Sequence, residues 1–312
     1  MTRFSARYGV MAACLLAFGS AAHARDRAAT ITILDGQASL IHAAARMAAA
    51  EGVAIEAEDI LETAPGASLL RLELDGGATL DLGPATRVMV RPPLGGAGAN
   101  GAAPVAYVLE GWAKLTVAST SQSGKAVMAS ALMDVTALER DLVLHVKGAE
   151  AELFAESGKV QTLVASKTGA PAPTNVDKGA FLARRADGAV GVTPRPAPAF
   201  IQAVPRAFMD TLPSRLAMFK GKDIKLNPAG RMTYEDTQAW LNAEPRMRTL
   251  FLTRWKPLAQ DEAFRRSLVG QMAQHPEWHK VLFPAPAAAS STGQSARKPV
   301  SNPVTSAEAV KP

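Results

Sequence analysis

Short apolar runs that alternate with polar residues dominate the first two thirds of the chain. Alternation at period two sends successive side chains to opposite faces, so it predicts half-buried β-strands. The runs recur at a spacing of about ten residues, which favours a sandwich, a jelly roll or a related β architecture. The predicted strands are 29–34, 38–41, 69–74, 78–82, 87–90, 106–109, 113–118, 126–130, 133–138, 142–147, 149–155, 160–164 and 181–184.

Turn and loop residues interrupt this β region. Asp75-Gly76-Gly77 lies between two runs and predicts a hairpin turn, because glycine tolerates a positive φ. The Ala-rich stretch 42–51 could pass for a helix, but in a β context we interpret it as a loop or strand. The Gly-rich stretch 92–104 and residues 168–176, which contain two prolines, are predicted loops.

The pattern changes after a Pro-rich stretch at 193–199, which predicts a semi-rigid linker. Residues 200–283 carry helix-start signals. Thr233 can cap a helix with Asp236 three residues on, Pro245 suits a first helical turn, and Asp261 can cap a further helix. We therefore predict a mainly β, sandwich or jelly-roll-like domain over 25–192, followed by a small α-helical segment over 200–283.

Aromatic residues concentrate in the helical segment, which holds ten of the seventeen in the chain. They predict a small helical core rather than a stacking platform. Trp240 and Trp255 in this segment, and Trp112 directly after Gly111 in the β domain, are kept as weak candidates for contact with a ligand or partner. The favoured interpretation of Trp112 is also a core or strand-pairing ring.

The first 24 residues have the organisation of a secretory signal peptide. Arg3 and Arg7 are basic, 9–19 form an apolar run, and Ala22 and Ala24 place small residues at a cleavage site. We expect cleavage after Ala24. An uncleaved anchor is the alternative, although a transmembrane helix needs about 20 apolar residues.

Cys14 is the only cysteine. It could be a lipoprotein acceptor, but the apolar stretch before it is short, so we interpret it as a small apolar residue inside the signal. The mature chain would then contain no disulfide and would depend on core burial for its stability. Residues 284–312 have little apolar bulk and predict a disordered tail.

Charge is divided along the chain, whose net charge is +6. Residues 25–199 contain 16 basic and 19 acidic residues, whereas 200–283 contain 13 basic and 8 acidic ones. A basic segment could meet an anionic partner, but we interpret it as an ordinary solvated helical surface. Export argues against nucleic acid as the partner.

Several segments occur in an order and spacing that resembles the FecR domain of Gram-negative envelope proteins. The matching segments are Ile33-Leu34-Asp35-Gly36-Gln37-Ala38-Ser39-Leu40, Ala57-Glu58-Asp59-Ile60-Leu61-Glu62-Thr63, the alternation over 68–84, Leu109-Glu110-Gly111-Trp112-Ala113-Lys114-Leu115, Glu156-Ser157-Gly158-Lys159-Val160 and Lys178-Gly179. Glu58 replaces a glycine of the family pattern, and Ser157 is an insertion.

The resemblance covers 33–190, about half of the chain, and implies a periplasmic β module that binds a protein or an envelope ligand. Familiar members relay transporter status to a sigma factor through a cytoplasmic helical domain. Here we expect the signal peptide to take the place of that domain, which separates this chain from the sigma-factor role.

Catalytic signals are sparse. His275 and His279 are four residues apart, as in some zinc proteases, but Pro276 occupies the position of the acid, so we expect a helix start with Trp278 buried and both histidines at the surface. Nucleophile-elbow, phosphate-loop and dinucleotide motifs are missing. Asp35, Asp59, Asp75 and Asp81 are scattered carboxylates that turn and edge positions explain.

The sequence thus favours a non-enzymatic periplasmic module for binding, scaffolding or signalling, without catalytic, cofactor or metal residues. Its expected partner is an envelope protein or a cell-wall or outer-membrane ligand, and after cleavage we expect no integral membrane segment. The alternative is a cell-wall glycan-binding accessory protein or an envelope hydrolase.

Overall fold

The computed structural model describes residues 27–95, 103–117, 127–167, 169–222 and 224–284. The predicted signal peptide, Cys14 and residues 285–312 of the predicted tail lie outside this range. The described part is mostly antiparallel β-sheet with short helices toward the C-terminus, which confirms the predicted fold class. Its strands are β1 Arg27–Asp35, β2 Ala38–His42, β3 Ala45–Ala48, β4 Ala54–Glu56, β5 Ile60–Thr63, β6 Leu69–Leu74, β7 Thr79–Leu82, β8 Arg87–Val90, β9 Ala106–Thr116, β10 Met128–Ala129, β11 Met133–Leu138, β12 Asp141–Lys147, β13 Glu150–Ser157, β14 Val160–Val164, β15 Ala172–Val176, β16 Phe181–Arg184, β17 Val190–Thr193 and β18 Asn227–Pro228.

The strands form two sheets that share β9. The front sheet has the order β4-β1-β6-β7-β9-β12-β13-β16-β17. The back sheet has the order β18-β3-β2-β5-β8-β9-β10-β11-β14-β15, and only its β9–β10 pair is parallel among the described strands. Through β9, all 18 strands belong to one hydrogen-bonded network.

The main core lies between the two sheets. Alternate residues of both sheets point into it, for example Leu70 and Leu72 from β6 in front and Leu61 and Val88 from β5 and β8 behind. This is the arrangement that period-two patterning predicts for a sandwich, because each strand buries one of its two faces. The predicted Asp75–Gly77 turn joins β6 to β7, and its hairpin is confirmed.

Some strand predictions were incomplete or wrong. The stretch 42–51 contains β3, as its β interpretation allowed, whereas 106–109 and 113–118 belong to one bent strand, β9. Residues 168–176 were predicted as a loop, but β15 occupies 172–176. Pro173 is tolerated there because β15 is the last strand of the back sheet, where an edge position requires fewer N–H donors. β4, β5, β17 and β18 were not predicted as strands.

After β17 the chain covers the outer face of the front sheet. Helix α1 (Pro198–Ala203) and a 3₁₀ turn at Arg206–Met209 bring Phe200 and Phe208 onto that face, where both are buried beside Trp112. Lys114 donates a hydrogen bond to the carbonyl of Phe208 at 2.7 Å. The predicted linker 193–199 is thus followed directly by a packed segment.

The chain then crosses from the front sheet to the back sheet through residues 210–222 and 224–228, which we name the crossing segment. Glu73 accepts a hydrogen bond from the backbone N–H of Arg215 at 2.8 Å. Phe219, in a 3₁₀ turn at Leu216–Phe219, and Ile224 approach Gly52 so closely that a Cβ there would lie 2.6 Å from the Phe219 ring. β18 ends the crossing by pairing with β3.

The helices that follow pack on the outer face of the back sheet. They are α2 Tyr234–Leu241, α3 Pro245–Arg248, α4 Phe251–Arg254, α5 Glu262–Gly270 and α6 His279–Leu282, with 3₁₀ turns at Lys256–Gln260 and Pro276–Trp278. Their aromatic residues form a second core with Ile41, Ile60, Met89 and Tyr107 of the sheet. None of the helices in the described ranges is both long enough and apolar enough to cross a bilayer.

The predicted helix starts are confirmed. Thr233 and Asp236 form a reciprocal capping box, and the Asp261 carboxylate accepts from the backbone N–H groups of Ala263 and Phe264. Pro245 lies in the first turn of α3.

His42 gives the fold a pH dependence. Its Nδ1 lies 2.7 Å from Oδ1 of the buried Asp59, and this hydrogen bond raises the pKa of His42 against the opposing effects of burial and of Arg254. Because its pKa is raised, His42 stabilises the fold fully when the pH is below the ordinary value of 6.5, and this contribution is lost as the pH rises through the pKa of the folded state.

We expect the difference in unfolding free energy between wild type and His42→Gln to shrink from pH 5.5 to pH 8.5 in urea titrations. A difference that stays constant over this range would contradict the assignment.

Candidate functional site

A groove of about 660 Å³ opens on the outer face of the back sheet, beside the helices that cover the rest of that face. We name it the sheet–helix groove. Its charged residues are Arg46 of β3, Glu62 of β5, Arg87 of β8 and Glu110 of β9. Alanines make up much of the remaining lining: Ala38, Ala48, Ala49, Ala64, Ala85 and Ala229.

Strand alternation sends the charged side chains into the groove. Leu61 and Val88 point into the core between the sheets, so their neighbours Glu62 and Arg87 point outward. The same strands carry Ile60 and Met89 on the outer face two residues away, where the helices cover them. The groove is therefore the part of the outer face that the helical segment leaves open.

The charges alternate in sign across neighbouring strands. Arg46 donates a hydrogen bond to Asp236 of α2 at 2.7 Å. The Arg87 guanidinium lies between two carboxylates, with its Nε 3.3 Å from Glu62 and its Nη1 in a short contact with Glu110. Cross-strand pairs of opposite charge stabilise a sheet modestly. Here they fix the position of Arg87, while Asp236 of α2 fixes that of Arg46.

Glu62 is the most enclosed of these charges, with a side chain that is 11% exposed. Burial raises its pKa, and this effect outweighs the hydrogen bond from Trp240 Nε1 at 3.0 Å and the nearby Arg87, which both favour the carboxylate. Glu62 links the sheet to α2 through Trp240, so the shape of the groove depends on the packing of the helical segment.

Two polar atoms of the groove residues have no partner. Ser39 Oγ and Arg46 Nε are buried and make no hydrogen bond in the described part of the chain. Buried polar atoms are normally satisfied, and an unsatisfied one costs about 1–3 kcal/mol. Both atoms belong to residues that line the same groove, although the atoms themselves are enclosed by the protein.

The chemistry available here is recognition by charge and hydrogen bonding. Arg46 and Arg87 have N–H donors beyond those that Asp236, Glu62 and Glu110 occupy, and Glu62 and Glu110 can accept hydrogen bonds from amines or amides. Small side chains leave room for an extended ligand. Among the described residues, no group of three or more His, Cys, Asp or Glu side chains is placed to hold a metal ion.

The tryptophans singled out in the sequence do not line the groove. Trp240 and Trp255 are 0% exposed in the second core, and Trp112 is 8% exposed beneath Phe200. The three rings pack within the protein, in keeping with the favoured core interpretation. Trp240 contributes to the site indirectly, through its hydrogen bond to Glu62.

One histidine prediction was wrong. His279 is exposed as expected, but His275 is fully buried, and its Nε2 lies 2.8 Å from the Tyr234 hydroxyl. The reason is that His275 precedes the first residue of a 3₁₀ turn, Pro276, and its ring lies edge-on to Tyr234. Trp278 is buried as predicted.

The interpretation of the four aspartates as turn or edge residues was wrong for Asp81, which lies on β7 between β6 and β9, whereas Asp59 closes a turn by accepting from the N–H of Glu56. Asp59 is buried and holds His42, and Asp81 is buried in a bidentate pair with Arg71. The groove residues were missed altogether. In the sequence, each of them is a charged residue at an outward position of a strand, next to apolar residues that point inward. An ordinary solvated strand face shows the same pattern, so the sequence did not distinguish the groove from such a face.

Comparisons with known proteins find few similarities. No family model matches the chain, and no curated protein matches it. Two crystal structures described as a "putative anti-sigma factor" from Parabacteroides distasonis are similar, both with a TM-score of 0.36. Their identities are 14% and 13% over 46% of this chain, and the matched part spans 64% and 65% of their own lengths.

Proposed function

We propose that this chain is a non-enzymatic binding module of the bacterial envelope, exported to the periplasm and built on a FecR-like β domain. The sheet–helix groove is its binding site, and its ligand is an extended segment of an envelope protein. The observation that supports this most directly is the alternation of charge along a groove of about 660 Å³ whose remaining lining is largely alanine.

A polypeptide suits the groove because it carries both kinds of group that the groove can bind. Arg46 and Arg87 present guanidinium groups to carboxylates, whereas Glu62 and Glu110 accept from amides or amines. A uniformly anionic polymer would meet repulsion from the two glutamates.

Site-specific photo-crosslinking in intact periplasm tests the proposal. A photoreactive residue at Gln37 or Ala48, both exposed groove residues, should give protein adducts in the periplasmic fraction. The same residue at Gln161, an exposed position of β14 in the same sheet, is the matched control. The proposal fails if the groove positions give no adduct or give the same adducts as position 161.

The two arginines should carry much of the binding. We expect Arg46→Ala with Arg87→Ala to reduce the adduct yield about tenfold or more, since a hydrogen bond to a charged group is worth about 1.5–3 kcal/mol. Arg140→Ala with Arg266→Ala removes two exposed arginines outside the groove and should leave the yield unchanged. Urea unfolding of each variant establishes that the fold is retained, and an equal loss in both double variants would contradict a role for the groove.

A second function has one observation in its favour. Glu62 and Glu110 both contact Arg87 in one groove, and burial raises the pKa of Glu62, as a general acid acting on cell-wall glycan requires. Digestion of purified peptidoglycan by the wild-type chain, abolished by Glu62→Gln, would establish the hydrolase and displace the binding module.

A further inference from the structure

β17 is an edge strand with an open side. It pairs with β16 in the front sheet and, within the described ranges, with no other strand. The N–H of Arg185 donates to the carbonyl of Ala189, and hydrogen-bonded pairs alternate along an antiparallel ladder. Gly191 and Thr193 therefore face β16, whereas Val190 and Val192 direct their backbone N–H and C=O groups away from the sheet.

The other sheet ends are protected against strand addition. β4 and β18 contain three and two residues, and β15 carries Pro173, which has no N–H to donate. β17 has the sequence Val-Gly-Val-Thr, without proline or charge, and all four residues are exposed. Native proteins usually block such an edge, so its openness needs a reason.

A groove of about 540 Å³ runs beside this edge on the outer face of the front sheet. Phe181 and Ala183 of β16 and the chain at 195–198 line it. Gly191 lies along the groove, and a Cβ added there would meet no atom within 4 Å. The strand thus leaves space for the side chains of an added strand.

Two arginines mark the ends of this groove. Arg185 directly follows β16, at the turn that joins β16 to β17, and Arg195 lies two residues after β17. Both are exposed, and neither forms an ion pair in the described part of the chain. Ala189, which pairs with Arg185, and Arg195 are six positions apart in the chain. The strand itself ends at Thr193, whose hydroxyl donates to the carbonyl of Arg195 where the chain bends.

We infer that the β17 edge binds an extended acidic segment of another protein by strand addition. Backbone hydrogen bonds to Val190 and Val192 would provide the register, and two carboxylates about six residues apart would meet Arg185 and Arg195. An even spacing is needed because only alternate residues of a strand share one face. The site is separate from the sheet–helix groove and does not depend on the function proposed for it.

Two other occupants fit less well. Residues 285–312 of this chain contain Arg297, Lys298 and Lys311 against a single acid, Glu308, so they would add positive charge beside the arginines. A second copy paired through its own β17 would offer one carboxylate near this edge, Asp187, for two guanidinium groups. An external acidic segment supplies a carboxylate for each.

The experiment uses a blocked nine-residue peptide of alternating valine and threonine, with glutamate at its second and eighth positions. We expect binding to the full mature chain by fluorescence anisotropy, and slower hydrogen exchange of the Val190 and Val192 amides. The same peptide with lysine in place of glutamate should bind at least about tenfold more weakly, a difference of 1.4 kcal/mol.

Variants separate the backbone contribution from the charge contribution. Val192→Pro removes one outward N–H while leaving the β16 ladder intact, and should weaken binding about tenfold, whereas Val192→Thr should change it less than about twofold. Arg195→Glu alters only an exposed charge, so it serves if the proline variant does not fold. It should abolish the preference between the two peptides, because the attraction of Arg185 for one glutamate is then balanced by repulsion of the other.

Several results would overturn the inference. Equal affinity for the glutamate and lysine peptides would rule out an acidic partner. Unchanged hydrogen exchange of the Val190 and Val192 amides would rule out strand addition. A concentration-dependent dimer in sedimentation, lost in Val192→Pro and unaccompanied by peptide binding, would assign the edge to a second copy. Arg46→Ala with Arg87→Ala should leave peptide binding unchanged, which distinguishes failure of this site from failure of the groove.

Discussion

Replacing Asp81 with alanine should lower the free energy of unfolding by about 3–5 kcal/mol, the usual cost of leaving one partner of a buried ion pair without the other. Asp81 on β7 and Arg71 on β6 are 2% and 7% exposed. The guanidinium holds both carboxylate oxygens, with Nε–Oδ1 and Nη2–Oδ2 distances of 2.6 and 2.7 Å. Without Asp81, the buried guanidinium would keep a hydrogen bond to the carbonyl of Leu212 and the weaker attraction of Glu73.

Urea unfolding of two further variants identifies the cause. Arg71→Met combined with Asp81→Leu removes both charges and should regain most of the lost stability, because a hydrophobic pair of similar volume often replaces a buried ion pair at little cost. Glu262→Gln breaks the exposed pair with Arg266 on α5 and should change stability by about 0.5 kcal/mol or less. A double variant no more stable than Asp81→Ala would show that packing, and not the unpaired charge, determines the loss.

The Arg71–Asp81 pair also holds the chain that leaves the front sheet. Arg71 Nη1 donates to the carbonyl of Leu212 at 3.1 Å, in the same crossing segment that Glu73 binds. Two charged residues of one strand thus position a segment about 140 residues further along the chain. The crossing segment in turn leads to the helices that border the sheet–helix groove, so these contacts help to maintain the site.

Local features of the fold could be predicted from the sequence. Alternation identified most strands because one face of each is buried between the sheets, and capping residues identified the starts of α2, α3 and α5 because they act within one turn. Both signals depend only on nearby residues. β15 was missed because Pro171 and Pro173 indicate a loop. Pro173 fits a strand only at the edge of a sheet, and an edge position is a property of the whole sheet.

The candidate sites required knowledge of the pairing. Arg46, Glu62, Arg87 and Glu110 are scattered over 65 positions of sequence, and only the β3-β2-β5-β8-β9 order brings them together. Asp81 resembled an edge carboxylate because the sequence gives no indication that a later segment covers it. The role of the aromatic residues was easier to predict, because large apolar rings are buried in most environments. Their place in a core could therefore be anticipated from the sequence.

The bend in β9 is the point on which the two-sheet arrangement depends. Its first half pairs with β8 in the back sheet and its second half with β7 and β12 in the front sheet. Gly111 lies between the halves with φ = +94°, a conformation that costs a residue with a Cβ about 1–3 kcal/mol. The chain also passes close to β8 here, since a Cβ on Gly111 would lie 2.5 Å from the Cα of Thr86.

Gly111→Ala should therefore destabilise the protein by at least about 3 kcal/mol, because backbone strain and an overlap with the backbone of Thr86 add together. Gly77→Ala is the matched control: Gly77 has φ = +80° in the β6–β7 turn, but a Cβ there meets nothing within 4 Å, so only the strain of about 1–2 kcal/mol applies. Urea unfolding measures both. Equal losses would show that the positive φ alone matters. A larger loss at Gly111 would show that the close approach to Thr86, where β9 passes from one sheet to the other, requires glycine.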